Sequence, residues 1–376
     1  MFYYLFKWIN EAYDPPGFGL FQYITFRAAA AAISALLIGF WLGPKIIKKL
    51  KAMQIGEQAK TELSQVGTHS GKAGTPTMGG LIVLLALLLP TILWANILNM
   101  YIILIVITTA WLGAVGFLDD YLKVIKKLPK GLVGKYKIVG QVTIGLFIGS
   151  VIYFFPETFS DGFDEIKSMT TLPFEKNINI DFGILYIPLA IFIITATSNA
   201  VNLTDGLDGL AIGTVGIATL AIAVISYVSG NANFADYLNI IYLNGSGELT
   251  IFCAALLGAA LGFLWFNSHP AQVFMGDTGS LALGGAIGGL MILIKKEFLL
   301  PIIGGVFFAE AVSVIIQVMY FRYTRKKYGE GRRIFKMAPL HHHFEKSGLH
   351  ESKIVTRFYI VAILLAILTM TTFKLR

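Results

Sequence analysis

Several short stretches of this 376-residue chain carry side chains able to do chemistry, each beside a long apolar run. Asp119-Asp120 place two carboxylates side by side near the end of one run. Each charge raises the pKa of the other, which suits a cation site or a general base. A solvated helix end balanced by Lys123, Lys126 and Lys127 would use the same residues. Between two later runs, 197–209 supplies Asn199, Asn202, Asp205 and Asp208 with no basic residue. If the next helix begins near Asp205, the two acids share a face at i, i+3. Helix capping explains one acid but not two acids and two asparagines. Asn267-Ser268-His269-Pro270 precedes Phe274-Met275-Gly276-Asp277-Thr278-Gly279, which sets Asp277 at another helix entry, with capping again the plain alternative.

A fourth stretch, 71–80, combines Lys72, Thr75, Thr77 and four glycines ahead of an apolar run. Glycine N–H groups, hydroxyls and a helix N-terminus can cradle phosphate, and an ordinary loop-to-helix entry has the same composition. The fifth is His341-His342-His343, followed by Phe344 and Glu345. Residues on a helix turn about 100° each, so three successive imidazoles cannot share one helical face. They can line a loop around a phosphate or a metal, or be surface residues without a role. Glu310 and Gln317, seven apart inside an apolar run, share a helix face. An ionisable residue in lipid is a functional candidate, with a hydrogen bond between helices as the competing account. Magnesium prefers carboxylate oxygens and substrate phosphates, and fixed positive groups stabilise phosphoryl transfer. The sum predicts a magnesium-dependent enzyme handling a phosphorylated substrate. An ion-coupled transporter would hold its acids near mid-membrane on broken helices, whereas these lie at helix ends.

The positioning elements must be membrane helices. Hydrophobic residues make up 56% of the chain and charged ones 14%, against roughly 25% charged in soluble domains; mean hydropathy is +0.70. Ten segments approach the length of about 20 apolar residues that a crossing needs: 23–42, 79–95, 99–118, 137–155, 182–198, 207–229, 249–266, 280–294, 299–321 and 355–373. Lipid offers the backbone no partners, so all are predicted helical, in a single all-α membrane domain over 1–376. With ten crossings the lysine- and arginine-rich loops at 43–78, 119–136 and 322–354 fall on one face. The positive-inside rule makes that face cytoplasmic and both termini extracytoplasmic. The formal charge of +8 then reflects topology and anionic lipid, and nucleic acid is not expected as a partner. The lone Cys253 excludes an intrachain disulfide. Phe2 to Ile9 lacks the basic start of a secretion signal and reads as interfacial. The acidic outer loop 156–181 has room for a short strand near 177–182, and the small-residue runs at 258–262 and 284–289 favour close helix packing.

GKAGTPTMGG at 71–80, GFLDDYLK at 116–123, TSNAVNLTDGLDGL at 197–210, FMGDTGSLALGG at 274–285 and APLHHHFE at 338–345 together resemble the phospho-N-acetylmuramoyl-pentapeptide-transferase family. That family lies within the polyprenyl-phosphate N-acetylhexosamine-1-phosphate transferases, and the likeness extends over essentially the whole chain. The acidic motifs are shared across the superfamily; GTPTMGG and the triple histidine are particular to the muramoyl family. The resemblance implies ten transmembrane helices, often in a homodimer, in the bacterial inner membrane. It implies transfer of phospho-MurNAc-pentapeptide from its UDP carrier to undecaprenyl phosphate, giving lipid I and UMP. By the same carry-over Asp277 is the magnesium ligand, and Asp119, with Asp120 beside it, is the base that frees the lipid phosphate. Asn199, Asn202, Asp205, Asp208, Asn267 and Phe274 form the nucleotide side. Lys72, Thr77, Gln317, His341, His342 and His343 surround the phosphates and sugar, Lys123 and Lys135 complete the substrate-binding set, and His341 is also counted as catalytic. A sister enzyme moving GlcNAc-1-phosphate onto the same lipid is the nearest rival.

Overall fold

A computed structural model describes residues 1–53, 74–128, 131–175 and 178–374. Lys72 therefore lies outside the described residues. Among the described residues the regular structure is helical apart from one small hairpin. After the amphipathic α1 (Phe2–Tyr13) come α2 (Ile24–Ala52), α3 (Gly80–Trp94), α4 (Met100–Val124) and α5 (Gly134–Phe154). The hairpin pairs β1 (Met169–Thr171) antiparallel to β2 (Asn179–Asp181), which realises the short strand expected there. Then follow α6 (Tyr186–Thr204), α7 (Leu210–Ser229), the short α8 (Ala232–Leu238), α9 (Leu249–Asn267) and α10 (Gly276–Leu293). The chain ends with α11 (Leu300–Ile303), α12 (Gly305–Tyr328), α13 (Leu340–Glu345) and α14 (Glu351–Lys374). Among the described residues nine helices are long and apolar enough to cross a membrane, so the protein is an all-α polytopic membrane protein. The second expected segment forms α3, an apolar helix of 15 residues. At a 1.5 Å rise per residue it spans roughly 22 Å, short of a hydrocarbon core of about 30 Å.

Packing follows residue size. Nearly all of α10 is buried, and it forms the centre of the bundle against α4, α6 and α3. Its glycines permit this: a Cβ on Gly284 would stand 2.5 Å from the Thr197 carbonyl oxygen, and one on Gly285 2.1 Å from Leu112 Cδ1. Gly258 on α9 meets the backbone of Ala32 on α2 in the same way. Small residues at the crossings let helices approach where apolar burial alone gives no drive in lipid. The outer faces keep large apolar side chains such as Leu37, Trp41, Met319 and Leu364 exposed, as a lipid-facing surface requires. At one end of the bundle the buried Arg27 donates to both oxygens of Glu248, at 2.9 and 2.6 Å, tying the start of α2 to the start of α9.

That same end holds an unusual ionisable cluster below the hairpin. Lys295 and Lys296 are fully buried just beyond α10. Lys296 Nζ donates to Thr171 Oγ1 at 2.9 Å, and Lys295 Nζ donates to the Lys167 carbonyl and lies 3.9 Å from the Tyr186 ring centroid. Glu297 accepts the Thr170 and Tyr186 hydroxyls. Burial pushes the Lys295 ammonium down to about 7, with Glu297 opposing. The unfolded chain keeps that proton up to ~10.4. Between those values the unfolded state binds more protons, so stability rises with pH. Lys295→Met is expected to flatten that rise. Its melting temperature in detergent should exceed the wild type's at about pH 6.5 and the gap should narrow by about pH 9.5. A gap independent of pH would mean the buried amine keeps its proton throughout.

Candidate active site

At the opposite end of the bundle the helices alternate in sense. α4, α6 and α9 end there, while α3, α5, α7, α10 and α14 begin there, because residues from all of these termini meet. The organising element is the first turn of α10. Gly276 has φ +74°, a left-handed conformation that suits glycine. A Cβ on it would lie 2.7 Å from Asp120 Oδ2 and 3.0 Å from Thr77 Oγ1. On α4, Gly116 touches the Asp277 carbonyl, where a Cβ would stand 2.1 Å away. One helical turn later, on the same face, Asp120 meets the start of α10. Its carboxylate accepts from the Asp277 N–H (3.1 Å), the Thr278 N–H (2.9 Å) and the Thr278 hydroxyl (2.6 Å). Asp120 thus caps α10 from a neighbouring helix, a favourable place for a negative charge.

Asp277 is consequently held over Asp119, and the three carboxylates Asp119, Asp120 and Asp277 each offer an oxygen within 4.8 Å of the others. Asp119 is buried; its Oδ1 accepts from the Leu132 N–H at 2.8 Å, and its Oδ2 faces the ammonium groups of Lys123 and Lys137, the latter at 3.0 Å. Both lysines also reach Asp277 Oδ2, Lys137 at 2.5 Å and Lys123 at 3.3 Å. Asp277 Oδ1 accepts from Asn202 Nδ2 at 3.1 Å, and Asn202 donates to Ser280 Oγ as well. Three carboxylates with two ammoniums and a helix N-terminus bring together groups of the kind that can hold a hard cation and those that can face a phosphate. The donor set is all oxygen, the kind that magnesium accepts, so the residues present fit a divalent cation.

Beyond this centre, Asn199 Nδ2 donates to Gln141 Oε1 (2.9 Å) on α5, and Gln141 in turn donates to Ser198 (3.2 Å). The turn between α6 and α7 carries Asp205 and Asp208. Asp208 Oδ2 accepts from the Ala271 N–H (3.1 Å) and lies 3.0 Å from His269 Nδ1, while Glu351 Oε1 accepts from the Asp208 N–H (2.7 Å). Asp208, His269 and Glu351 form a second group of potential metal-ligating atoms within 4.8 Å of one another.

A family model described as glycosyl transferase family 4 matches residues 102–295, which include both carboxylate helices. A phospho-N-acetylmuramoyl-pentapeptide-transferase signature matches residues 72–84. Curated relatives named phospho-N-acetylmuramoyl-pentapeptide-transferase include one from Chloroherpeton thalassium, 54% identical over 376 residues, and one from Flavobacterium psychrophilum, 50% identical over 411. A third, from Salinibacter ruber, is 48% identical over 390 residues, and all three matches cover the whole of both chains. The chain belongs to the phospho-N-acetylmuramoyl-pentapeptide-transferase family.

With the family established, the expected site residues separate into groups. Asp119, Asp120, Asp277, Lys123 and Asn202 form one cluster, with Thr77 at its edge. Asn267 is buried and structural in its bonds, accepting from the Gly209 N–H (3.1 Å) and donating to the Val273 carbonyl (2.9 Å). Phe274 is partly buried next to it, and its N–H donates to the Pro76 carbonyl. Gln317 clamps the backbone of Ile334 and Phe335. Lys135 is exposed, its Nζ 5.0 Å from the Tyr136 ring centroid.

Several sequence expectations change. Asp205 and Asp208 share no helix face, because α7 begins only at Leu210; Gly209, at φ +80°, makes the turn ahead of it. The three histidines lie on a short helix, α13, rather than in a loop. His341 is buried, His342 Nδ1 lies 3.1 Å from Glu345 Oε2, and His343 Nδ1 accepts from the Lys336 N–H. The glycine-rich turn does not offer Gly79 and Gly80 to a phosphate. Their N–H groups donate to the Phe274 and Met275 carbonyls, both at 2.8 Å, and so seat α3 against α10. Lys137, Gln141 and Glu351 carry no signal of their own among the motifs of the sequence, and His269, named there beside Asn267, is given no role by it. For Lys137 a signal existed outside those motifs: it precedes the buried Gln141 by four residues, giving α5 one polar stripe facing the site.

Proposed function

We propose that this protein transfers phospho-MurNAc-pentapeptide from UDP-MurNAc-pentapeptide to undecaprenyl phosphate, giving lipid I and UMP in peptidoglycan synthesis. The observation carrying the reading is the convergence of Asp119, Asp120 and Asp277 with Lys123 and Lys137 at one end of the bundle. Family membership supplies the sugar, the peptide and the lipid. A single domain of ten crossings in the bacterial inner membrane fits the alternating helix ends, with α3 as the tenth crossing and both termini opposite the site. The basic loops then make the site's face cytoplasmic, where a soluble UDP-sugar arrives. The assembly we propose is a homodimer, which the resemblance implies.

The reaction is one displacement. An oxygen of the lipid phosphate bonds to the phosphorus attached to MurNAc, the bond to the bridging oxygen breaks, and UMP leaves with that electron pair. Asp119, buried and facing two ammoniums, keeps the lipid phosphate deprotonated or takes its proton. Lys123 and Lys137 stabilise charge on the transferring group. Asp120 acts by fixing the start of α10, and Asn202 by orienting Asp277. Magnesium, held by Asp277 with Asp119 at hand, would neutralise charge on the pyrophosphate. Asn199, Asp205, Asp208, Asn267 and Phe274 form the nucleotide side, and Lys72, Thr77, Lys135, Gln317 and the three histidines the phosphate and sugar side.

Purified protein in detergent is expected to release UMP from UDP-MurNAc-pentapeptide only when undecaprenyl phosphate and magnesium are both present. Chelation should stop release and added magnesium restore it. Release from UDP-GlcNAc instead would transfer the reading to the sister activity, and release unaffected by chelation would remove the metal.

A further inference from the structure

The mechanism above draws nothing from α14, the last helix, yet its first turns carry two polar side chains into the bundle. Glu351, which is fully buried, and Tyr359 share a stripe with Ile354, Val355 and Phe358, spaced i, i+3, i+4, i+7 and i+8. Ile354 and Val355 form a small apolar cluster with Leu207 and Leu210, separate from the main core, and Phe358 and Tyr359 pack against it. Leu207 and Leu210 stand on either side of Asp208 and Gly209, so this stripe closes on the turn between α6 and α7.

The turn is held through its backbone. Glu351 Oε1 accepts from the Asp208 N–H at 2.7 Å, and Asn267 Oδ1 accepts from the Gly209 N–H at 3.1 Å. The Tyr359 hydroxyl donates to the Gly209 carbonyl at 2.6 Å, and that carbonyl also accepts from the Gly213 N–H at 3.0 Å. Gly213 opens the slot for the phenol, since a Cβ on it would stand 2.1 Å from the Tyr359 oxygen. A backbone N–H can only donate and a carbonyl only accept, so the direction of each bond is fixed by the groups themselves. The polar backbone of residues 208 and 209 thus finds partners on other elements, and removing one orphans a group inside the protein. The same turn leads to the carboxylates. The Asp205 N–H donates to the Asn202 carbonyl, and Asn202 Nδ2 donates to Asp277 Oδ1 at 3.1 Å. Asp205 and Gly206 between them stay partly exposed.

We infer that Glu351 and Tyr359 are positioning residues, a clamp from α14 that holds the 205–209 turn in the form that receives the nucleotide. The inference rests on the transferase reading, which puts Asp205 and Asp208 on the nucleotide side. A turn that loses a clamp spends less time in the receptive form, and apparent affinity falls by that fraction. Tyr359→Phe removes one hydrogen bond and keeps the ring in the apolar cluster. Glu351→Ala removes the acceptor for the Asp208 N–H, whereas Glu351→Gln keeps an acceptor oxygen there. Gly213→Ala drives the phenol out of its slot.

The test is UMP-release kinetics on the full-length protein in detergent, varying each substrate separately. Tyr359→Phe is expected to raise the KM for UDP-MurNAc-pentapeptide by roughly three- to tenfold, the worth of one hydrogen bond, and Glu351→Ala by roughly ten- to a hundredfold, since its bond is to a carboxylate. Glu351→Gln should recover most of the affinity. The KM for undecaprenyl phosphate should stay unchanged in all of them. Gly213→Ala combined with Tyr359→Phe should be little worse than either alone, because both break the same contact. A merely structural role would lower the active fraction and leave both KM values alone, and that result overturns the inference. So does Glu351→Gln proving as damaging as Glu351→Ala, because the carboxylate charge rather than the backbone bond would then be what matters. Hydrogen exchange over residues 205–209, read by mass spectrometry without substrate, gives a readout independent of activity. Exchange should be slow in the wild type and faster in Tyr359→Phe and Glu351→Ala, as local opening becomes easier. Unchanged exchange in both variants would show that α14 does not hold the turn. If the wild type releases no UMP but exchange responds as expected, the transferase reading fails and the clamp stands.

Discussion

Asp277→Asn is expected to lower UMP release by on the order of 10³-fold, the loss typical of removing a group that acts on transition-state charge. The substitution changes charge and little else. The backbone N–H of residue 277 still donates to Asp120, so the start of α10 keeps its cap. The amide retains one oxygen for Asn202. What disappears is the negative charge that faces Lys123 and Lys137 and that would hold the cation. Asp119 and Asp120 lose a like-charged neighbour while Lys123 and Lys137 lose a partner, so the two effects oppose and the melting temperature should change little. Magnesium added in excess should not restore turnover. Wild-type turnover in Asp277→Asn would remove this residue from the reaction, and a large fall in melting temperature would reduce it to a structural role.

Both fold and site were legible in the sequence where apolar patterning governs, and obscure where polar residues are buried. All ten apolar segments lie largely in helices, the ninth divided between α11 and α12 at Gly304, because an apolar run in lipid has no other way to satisfy its backbone. Their ends were misjudged at the site. The apolar run before Asp119 stops at residue 118, yet α4 continues to Val124, because Asp119 and Asp120 are buried against α10 rather than solvated. The run after Asp277 was read from residue 280, yet α10 starts at Gly276, because Gly-Asp-Thr-Gly has the composition of a loop and the bonds of a capped helix. The paired acids and Asp277 were visible as residues too costly for mere surface. Their mutual geometry was not, since it depends on Gly80 and Gly116 letting three helices meet within a Cβ's width. The grouping of Asp208, His269 and Glu351 draws on three separate elements and leaves no local pattern.

Lys137 is the residue whose loss separates this geometry from one read off motif position alone. Its ammonium bridges Asp119 and Asp277 at 3.0 and 2.5 Å, with a side chain 19% exposed. Lys123 reaches the same two carboxylates but is 38% exposed, at the end of α4. An ion pair open to water is worth little, and a shielded one more. Lys137→Met keeps the apolar stem and leaves Asp119 and Asp277 repelling each other with one half-solvated counter-charge. The kcat/KM for UMP release is expected to fall by about a hundredfold, as when one fixed donor to a developing charge is removed. Lys123→Met should cost less. Lys135→Met should cost least, since that ammonium stands in solvent over Tyr136. Adding salt should weaken the Lys123 contribution more than that of Lys137, because screening acts on exposed charges first. If Lys135→Met proves the most damaging of the three, the phosphates bind on the outer side of α5 rather than between α4, α5 and α10, and the carboxylate cluster described here is not the reaction centre.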